Sequence, residues 1–471
     1  MRELREVLQE TFGYPDFRPG QQAVVEAALA HRDVLGVLPT GSGKTLCYQL
    51  PSRLNPGLVV VVSPLLALMA DQVARLQAAG DKRVVALSSR LSPQDHAWVL
   101  AHLGEYHVVF MAPETLLKPA VLAKVAALGV ALFVVDEAHC ISAWGPDFRP
   151  AYLKLGGAIA RIRPASTMAL TATAPRRVQQ DIVQGLGLRD PVLAVASVDR
   201  PNVFLGVEQV ADPTAKRRRL LALVAAVAGP TIVYFDSKAQ AEATSAALVA
   251  AGVKAAYYHA GLNPEQRDLI QHQFMGDRMR VICATSAFGM GIDKNDVRLV
   301  VYTHVPESLE AYSQGIGRAG RDGGLAVSVV LVAPGDLARA AQFAGSLPEA
   351  GVIHTVFKHP DAYQDFDDPQ VSLILAYIKA GFDEAAVTQR LAARLTERGQ
   401  ASAAMAAFLT TTGCHRAALV AHFDAPAVAH HALCCGPVTP AVLQQVAPSA
   451  SPLPQPSAWR EIFANIFRIK P

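Results

Sequence analysis

The first two thirds of the chain alternate short apolar segments with longer amphipathic ones. The short segments are rich in β-branched residues and predict buried strands at residues 34–38, 58–63, 84–87, 107–111, 131–135 and 168–170. Helical patterns such as residues 21–30 and 66–79 lie between them. This alternation predicts a parallel sheet with helices packed on both faces.

The same rhythm starts again after residues 199–202. It predicts strands at residues 231–235, 255–258, 280–284, 299–302 and 328–332. We therefore predict an α/β fold class with two tandem parallel-sheet domains. The first would span residues 1–199 and the second residues 200–345.

Strand patterns fade after residue 336, and the chain becomes mainly helical over residues 346–471. Helices are predicted at residues 337–344, 370–380, 384–395 and 403–410. Residues 370–395 could mimic a helix-turn-helix, but ordinary helix packing is the simpler interpretation. The Pro- and Ser-rich residues 448–456 predict a linker before a short amphipathic segment at residues 458–469.

Composition narrows the class of protein. The chain has 471 residues, 51% of them hydrophobic, so it can bury more than one core and is not a disordered chain. The 43 Lys and Arg residues against 40 Asp and Glu give a net charge of +3, so any nucleic-acid contact must come from local patches. The most apolar run, residues 57–70, is too short to span a membrane. The start of the chain lacks the apolar core of a signal peptide. Six cysteines are too few for a disulfide scaffold. We expect a soluble, cytoplasmic protein with no membrane partner.

A glycine-rich loop follows the first predicted strand and opens a helix. It consists of Gly41, Ser42, Gly43, Lys44 and Thr45. Glycines let backbone N–H groups converge on phosphate oxygens, while the lysine adds a positive charge and the threonine hydroxyl can bind Mg²⁺. A glycine is usual where Leu38 stands, so the match is incomplete. The strand-to-helix context favours a nucleoside triphosphate site over a chance turn.

Two further groups of polar residues fit a phosphate-transfer site. Asp136 and Glu137 end an apolar strand, at the edge where a parallel sheet binds ligands. Asp136 can hold Mg²⁺, and Glu137 can orient or deprotonate the attacking water. Arg318 and Arg321 follow Gln314, and their spacing predicts that they lie one helical turn apart on one face of a helix. We predict that both arginines reach the γ-phosphate across a cleft between the domains, with a surface charge pair as the alternative.

Together these motifs resemble a superfamily 2 helicase core, and more specific stretches resemble the RecQ DNA helicases. The resemblance covers residues 4–335. Its diagnostic stretches are residues 12–21, 46–51, 63–64, 69–73, 113–114, 170–174, 200–204, 258–262 and 287–294. It implies two RecA-like domains, ATP and Mg²⁺ as cofactors, and DNA as the partner.

The resemblance also assigns roles to single residues. Gln21 would read the adenine edge through its amide, supported by Arg18, with surface hydrogen bonding as the alternative. Thr171 and Thr173 would couple the phosphate site to the DNA path. Gly315 departs from the family, which usually has Glu before the two arginines.

Residues 140–152 resemble the family's aromatic-rich loop, which senses single-stranded DNA and triggers ATP hydrolysis. Trp144 and Phe148 could stack on bases, and Arg149 could hold a phosphate or a base face. Packing of these rings in the core is the alternative. The loop has Ala143 and Pro146 where Gln and His are usual, so we expect weaker coupling between DNA binding and hydrolysis.

The family carries a four-cysteine zinc module after the core, and residues 414–437 resemble it in part. Cys414 begins the first helix of that module, and His431 and Cys434 stand on two of the remaining cysteine positions. The last position falls on Pro437, so Cys435 or a histidine among residues 415, 422 and 430 would supply the fourth ligand to Zn²⁺. Because neighbouring cysteines are awkward to use together, we favour a metal-free remnant. A zinc site of Cys414, His431, Cys434 and Cys435 is the alternative.

The resemblance implies an ATP-dependent DNA helicase or translocase of 3′-to-5′ polarity, acting as a monomer on single-stranded, tailed or forked DNA in repair or recombination. One alternative is a DNA-stimulated ATPase that remodels protein–DNA complexes and separates strands poorly. Another is a non-catalytic DNA-binding adaptor, against which the intact phosphate-site residues argue. Residues 437–471 are too few for the family's winged helix, so we expect that element to be absent and blunt duplexes to be unwound poorly.

Overall fold

The computed structural model describes residues 4–64, 66–142, 149–289, 294–366, 368–431 and 433–446. Within them, two parallel seven-stranded sheets are joined by residues 196–202, called the crossover below, and are followed by a helical region. The predicted fold class is confirmed. The domain bounds at residues 199 and 345 stay predictions, although the last strand of the first sheet ends at Val195 and the second sheet begins at Val203.

The first sheet has the strand order β3-β4-β2-β5-β6-β1-β7. Its strands are β1 Val34–Val37, β2 Leu58–Val62, β3 Val84–Leu87, β4 Val108–Met111, β5 Val130–Val135, β6 Ser166–Thr171 and β7 Val192–Val195. Its helices are α1 Leu4–Phe12, α2 Gln21–Leu29, α3 Lys44–Leu54, α4 Leu66–Ala78, α5 Pro93–Ala101, α6 Pro113–Leu116, α7 Pro119–Leu128, α8 Leu155–Ile162 and α9 Arg176–Leu186. The central strands are continuous apolar runs because helices cover them on both faces.

Strand β7 was not predicted, and its position in the sheet explains why. It lies at the edge, where Leu193 and Val195 are 56% and 51% exposed. An edge strand with one open face carries a weaker hydrophobic signal than a central one.

The second sheet has the order β10-β11-β9-β12-β13-β8-β14. Its strands are β8 Val203–Gln209, β9 Thr231–Tyr234, β10 Ala255–Tyr258, β11 Val281–Ala284, β12 Leu299–Tyr302, β13 Ala326–Val332 and β14 Cys435–Gly436. Its helices are α10 Pro213–Ala226, α11 Lys238–Ala250, α12 Pro264–Met275 and α13 Leu309–Ile316. Strands β8 and β14 were not predicted, and the pairing of β14 with β8 attaches the late part of the chain to this sheet.

The helical region comprises α14 Asp336–Ala344, α15 Ala350–Lys358, α16 Pro369–Lys379, α17 Glu384–Thr410, α18 His415–His422 and α19 Pro440–Gln444. The two helices predicted at residues 384–395 and 403–410 are one continuous helix of 27 residues, so that prediction is wrong. A glycine inside a helix costs only about 1 kcal/mol. Met405 and Phe408 pack against the core of the second sheet, and this packing offsets the unfavourable helix propensity of Gly399.

In the part of the chain that the structure describes, no helix combines the length and the apolar character needed to cross a bilayer. The predicted linker at residues 448–456 and the amphipathic segment at residues 458–469 lie outside the described residues.

Candidate nucleotide site and metal centre

The glycine-rich loop connects β1 to α3 at the carboxyl edge of the first sheet. Gly41 and Gly43 have φ angles of +81° and +77°, in the left-handed region that glycine adopts without strain. Leu38 N donates to Thr171 O at 2.9 Å, which fixes the start of the loop against β6. Since α3 begins at Lys44, directly after the loop, the loop adjoins a helix N-terminus, as in an anion site.

Gln21 and Arg18 contact the phosphate loop itself. The buried Gln21 amide donates from Nε2 to Ser42 O at 2.6 Å and to Gly43 O at 3.1 Å, and its Oε1 accepts from Arg18 N at 2.8 Å. Arg18 Nη1 donates to Gly41 O. Adenine reading by Gln21 stays a prediction, and the structure adds a contact that the sequence did not indicate.

The acidic pair lies at the end of β5, beside the loop. Asp136 N donates to Val62 O at 2.8 Å, and Glu137 N donates to Asp136 Oδ1 at 3.0 Å. Glu137 has a φ of +49°, so the chain turns sharply after the strand. Burial and the neighbouring Glu137 charge raise the pKa of Asp136 to about 7, against the opposing effect of Lys44. A divalent cation would favour the charged carboxylate, and this carboxylate and the Thr45 hydroxyl fit Mg²⁺ as oxygen ligands.

A series of close polar contacts leads from Glu137 to the end of β6. His139 Nδ1 lies 2.9 Å from Thr171 Oγ1 and 3.4 Å from Glu137 Oε2. Thr171 Oγ1 donates to Thr173 O at 3.2 Å, so it accepts from the histidine. His139 was not among the predicted site residues, although it stands only two positions after Glu137 in the sequence.

Helix α13 ends at Ile316, so the prediction that Arg318 and Arg321 share one face of a helix is wrong, and the two arginines differ in their surroundings. Arg321 lies against the phosphate loop, because a Cβ atom at Gly41 would be 2.9 Å from its Cδ. Arg321 Nε donates to Gly317 O at 3.2 Å. Arg318 is buried. Its Nε donates to Gly289 O at 3.1 Å, and its Nη1 donates to Gln314 O at 2.8 Å. The structure therefore places Arg321 against the loop, whereas the hydrogen bonds described for Arg318 are to Gly289 and Gln314 of its own domain.

Arg200 of the crossover bridges the two domains. Its guanidinium donates to Thr40 O at 3.5 Å in the phosphate loop. On the other side it donates to the carbonyls of Gly317, Ala319 and Gly320 at 3.1, 2.7 and 2.9 Å. Burial, with the nearby Arg18 charge, lowers the pKa of Arg200. Sequence reasoning marked residues 200–204 as part of the resemblance but assigned Arg200 no role.

The predicted DNA-coupling residues Trp144 and Phe148 lie outside the described residues. The chain resumes at Arg149, whose N–H donates to Cys140 O at 3.1 Å. Tyr152 Oη then donates to Asp136 O at 3.0 Å. The end of the aromatic-rich loop is thereby anchored directly to the acidic pair.

Three cysteines and a histidine form a tight cluster at the start of β14. Their ligand atoms all lie within 4.8 Å of one another, and the four residues are Cys414, His430, Cys434 and Cys435. Cys414 Sγ is 3.4 Å from Cys434 Sγ, 3.5 Å from Cys435 Sγ and 3.4 Å from His430 Nδ1. The cluster contains His430 in place of His431, whose carbonyl accepts from Cys434 N in the turn, and it contains both adjacent cysteines. Binding of zinc here stays a prediction.

The cluster has the donor chemistry of a closed, tetrahedral zinc site. Burial works against a thiolate at Cys414, but hydrogen bonds from the Ala417 amide and from His430 outweigh it and lower the pKa of Cys414 to about 6. Burial raises the pKa of Cys434 to about 11, so a bound cation would have to displace that proton.

Comparisons with known proteins define the class. Residues 18–182 match the family model "DEAD/DEAH box helicase", and residues 215–323 match "Helicase conserved C-terminal domain". The fold is similar to Mycobacterium smegmatis helicase Lhr bound to ssDNA and AMP-PNP (TM-score 0.58, 21% identity, 82% of this chain and 57% of that chain). It is also similar to Mss116p bound to ssRNA and AMP-PNP (TM-score 0.59, 18% identity, 86% and 90%). The two sheets are thus the tandem RecA-like domains of a helicase core.

Curated relatives narrow the class to one family. The chain is 45% identical over 337 residues to the probable ATP-dependent DNA helicase RecS of Bacillus subtilis, covering 71% of this chain and 68% of that protein. It is 40% identical over 333 residues to the ATP-dependent DNA helicase RecQ of Haemophilus influenzae, covering 70% and 54%. The chain belongs to the RecQ family of ATP-dependent DNA helicases, and its alignment spans about half the length of the RecQ proteins it matches.

Proposed function

We propose that the chain hydrolyses ATP to move 3′ to 5′ along single-stranded DNA and to separate tailed or forked duplexes, in repair or recombination. The observation that supports this most directly is the contact of Arg321 with Gly41 across the two domains. A nucleotide in the phosphate loop would lie between the domains, so its hydrolysis would change how they meet. DNA is proposed because the RecS and RecQ relatives are named as DNA helicases.

Each residue of the nucleotide site has a proposed task. Lys44 neutralises charge on the β- and γ-phosphates, while Thr45 and Asp136 hold Mg²⁺. Glu137 orients the attacking water and accepts its proton. Arg321 stabilises charge on the γ-phosphate, and we propose that closure of the cleft brings Arg318 to the same group.

Coupling to DNA is proposed to run through the ends of β5 and β6. Tyr152 joins the aromatic-rich loop to the main chain of Asp136, and Thr171 joins His139 to Thr173. Movement of the loop on a DNA strand would therefore shift the carboxylates that act on the nucleotide. Stacking of Trp144 and Phe148 on bases is the proposed input to this path.

We also propose that Cys414, His430, Cys434 and Cys435 hold a structural zinc ion. With four protein ligands, such a site has no open position for catalysis. Its proposed contribution is to the folding of the segment that carries α18 and β14.

Strand displacement tests the proposed activity. Duplexes with a 3′ tail, a 5′ tail or blunt ends are mixed with the protein, ATP and Mg²⁺, and an RNA duplex with a 3′ tail is the fourth substrate. We expect displacement of the 3′-tailed DNA alone, and none by Lys44→Ala, whose fold is checked by circular dichroism. Preferential displacement of RNA would reassign the substrate. ATP hydrolysis without displacement would favour the remodelling ATPase.

A further inference from the structure

The guanidinium of Arg416, on α18, is buried between the metal cluster and the crossover. Only 2% of this residue is exposed, and each of its five N–H donors has an acceptor. Nε donates to Cys434 Sγ at 3.3 Å. Nη1 donates to Asp199 Oδ1 at 2.6 Å and to Arg200 O at 2.8 Å. Nη2 donates to Val203 O, and to Cys434 O at 3.1 Å. One side chain therefore contacts a proposed zinc ligand, two neighbouring residues of the crossover and the first residue of β8.

The other end of α18 is tied to the helix that precedes the arginines. His422 Nε2 lies 2.7 Å from Glu310 Oε1, and Glu310 is in the first turn of α13. Helix α18 thus contacts the crossover at its start and α13 at its end. Both of these elements lead directly to the residues that face the nucleotide.

The crossover carries the contact onward. The Arg200 main chain accepts from Arg416, while the Arg200 side chain reaches Thr40 in the phosphate loop and the carbonyls of residues 317–320. Two guanidinium groups in series, the buried one of Arg416 and the partly buried one of Arg200, therefore connect Cys434 to the nucleotide site.

We infer that Arg416 is a positioning residue for ATP hydrolysis, which it serves by holding the crossover so that Arg200 keeps the phosphate loop and the Arg321 segment in register. The inference rests on the proposed function. Lysine cannot replace this residue, because an ammonium group presents three donors from one point whereas these acceptors surround a planar fork. Loss of the fork leaves the Arg200 and Val203 carbonyls without this partner and frees the crossover to shift.

The test compares Arg416→Lys with Arg219→Lys as a matched control. Arg219 donates to Glu208 at 2.7 Å and to Val438 O at 2.7 Å, so it also holds the late segment on β8, but it does not reach the crossover. Asp199→Ala, which removes one acceptor at a partly exposed position, is the milder variant. For each protein we would measure zinc content, melting temperature, and kcat and KM for ATP at saturating single-stranded DNA.

We expect Arg416→Lys to lower kcat about 10- to 100-fold with little change in KM, as for a small misplacement of catalytic groups. Asp199→Ala should lower kcat less, and Arg219→Lys should keep the wild-type kcat. Arg200→Lys should also lower kcat, and the Arg200→Lys/Arg416→Lys double variant should lose no more than the stronger single variant, because both act through one connection.

Additive losses in that double variant, or a wild-type kcat in both Arg416→Lys and Asp199→Ala, would overturn the inference while leaving the proposed function intact. If Arg416→Lys does not fold, the kcat values of Asp199→Ala and Arg200→Lys, compared with the wild-type kcat, decide the question. A wild-type chain without DNA-stimulated ATP hydrolysis would overturn the proposed function as well.

Discussion

The hydroxyl group of Tyr302 occupies the space that any side chain at residue 315 would need. A Cβ atom on Gly315 would lie 1.7 Å from Tyr302 Oη and 3.7 Å from Arg318 Nη1. The RecQ resemblance places Glu at this position, beside the arginines. In this chain a tyrosine from β12 fills that space instead, and burial raises the pKa of Tyr302 well above its usual value, so the group beside Arg318 is a neutral phenol.

We therefore predict that Gly315→Ala destabilises the protein by about 1–3 kcal/mol, the range for overpacking of a core. Tyr302→Phe removes the clashing oxygen, although the ring carbon Cζ would still lie 2.9 Å from the new Cβ. Hence the penalty of Gly315→Ala should be smaller in a Tyr302→Phe background. Urea unfolding of the four proteins measures this coupling, and equal penalties in both backgrounds would show that Tyr302 does not exclude the side chain.

Trp144→Ala should reduce the stimulation of ATP hydrolysis by single-stranded DNA more than it reduces DNA binding. The reason is that the loop ends at Tyr152, which donates to the main chain of Asp136, so the loop is placed to transmit binding. Stimulation would be measured by steady-state ATPase and binding by fluorescence anisotropy. Trp98→Ala is the control, since Trp98 is 54% exposed on α5 and stacks on His102.

If binding and stimulation fall in proportion in Trp144→Ala, the residue serves only to bind DNA by stacking and does not couple binding to hydrolysis. Unchanged stimulation would contradict the assignment of the aromatic-rich loop to coupling.

The proposed zinc site predicts different effects for substitutions of two neighbouring histidines, His430 and His431. His430→Ala should lower the zinc content and the melting temperature, because His430 Nδ1 lies 3.4 Å from Cys414 Sγ. His431→Ala should change neither, because the contact described between His431 and the cluster turn is made by its main-chain carbonyl, which alanine keeps. Zinc would be measured by atomic absorption in the purified proteins. Zinc loss in His431→Ala with retention in His430→Ala would restore the ligand set inferred from the sequence.

The sequence predicted the fold well because the central strands are continuous apolar runs between amphipathic helices. It failed where the signal was not local. The edge strand β7 and the short strand β14 depend on pairing with distant partners, and α17 continues through Gly399 because of packing far along the chain. Within the site, the phosphate loop and the acidic pair are contiguous motifs, so their place could be predicted. Contacts such as Arg416 with the crossover join residues more than 200 positions apart, and no spacing in the sequence indicates them.

Gln21 can be tested for two tasks at once. The sequence resemblance predicts that its amide reads adenine, whereas the structure shows Nε2 donating to Ser42 O and Gly43 O of the phosphate loop. A residue that only read the base would affect ATP but not GTP. Because the proposed phosphate loop would hold the phosphates of either nucleotide, we predict that Gln21→Ala raises KM for ATP and for GTP. Steady-state hydrolysis with each nucleotide measures this, and Gln22→Ala is the control, because Gln22 pairs with Glu26 on the exposed side of α2. A KM that rises for ATP alone would assign Gln21 to base recognition and would mean that the loop keeps its shape without this amide.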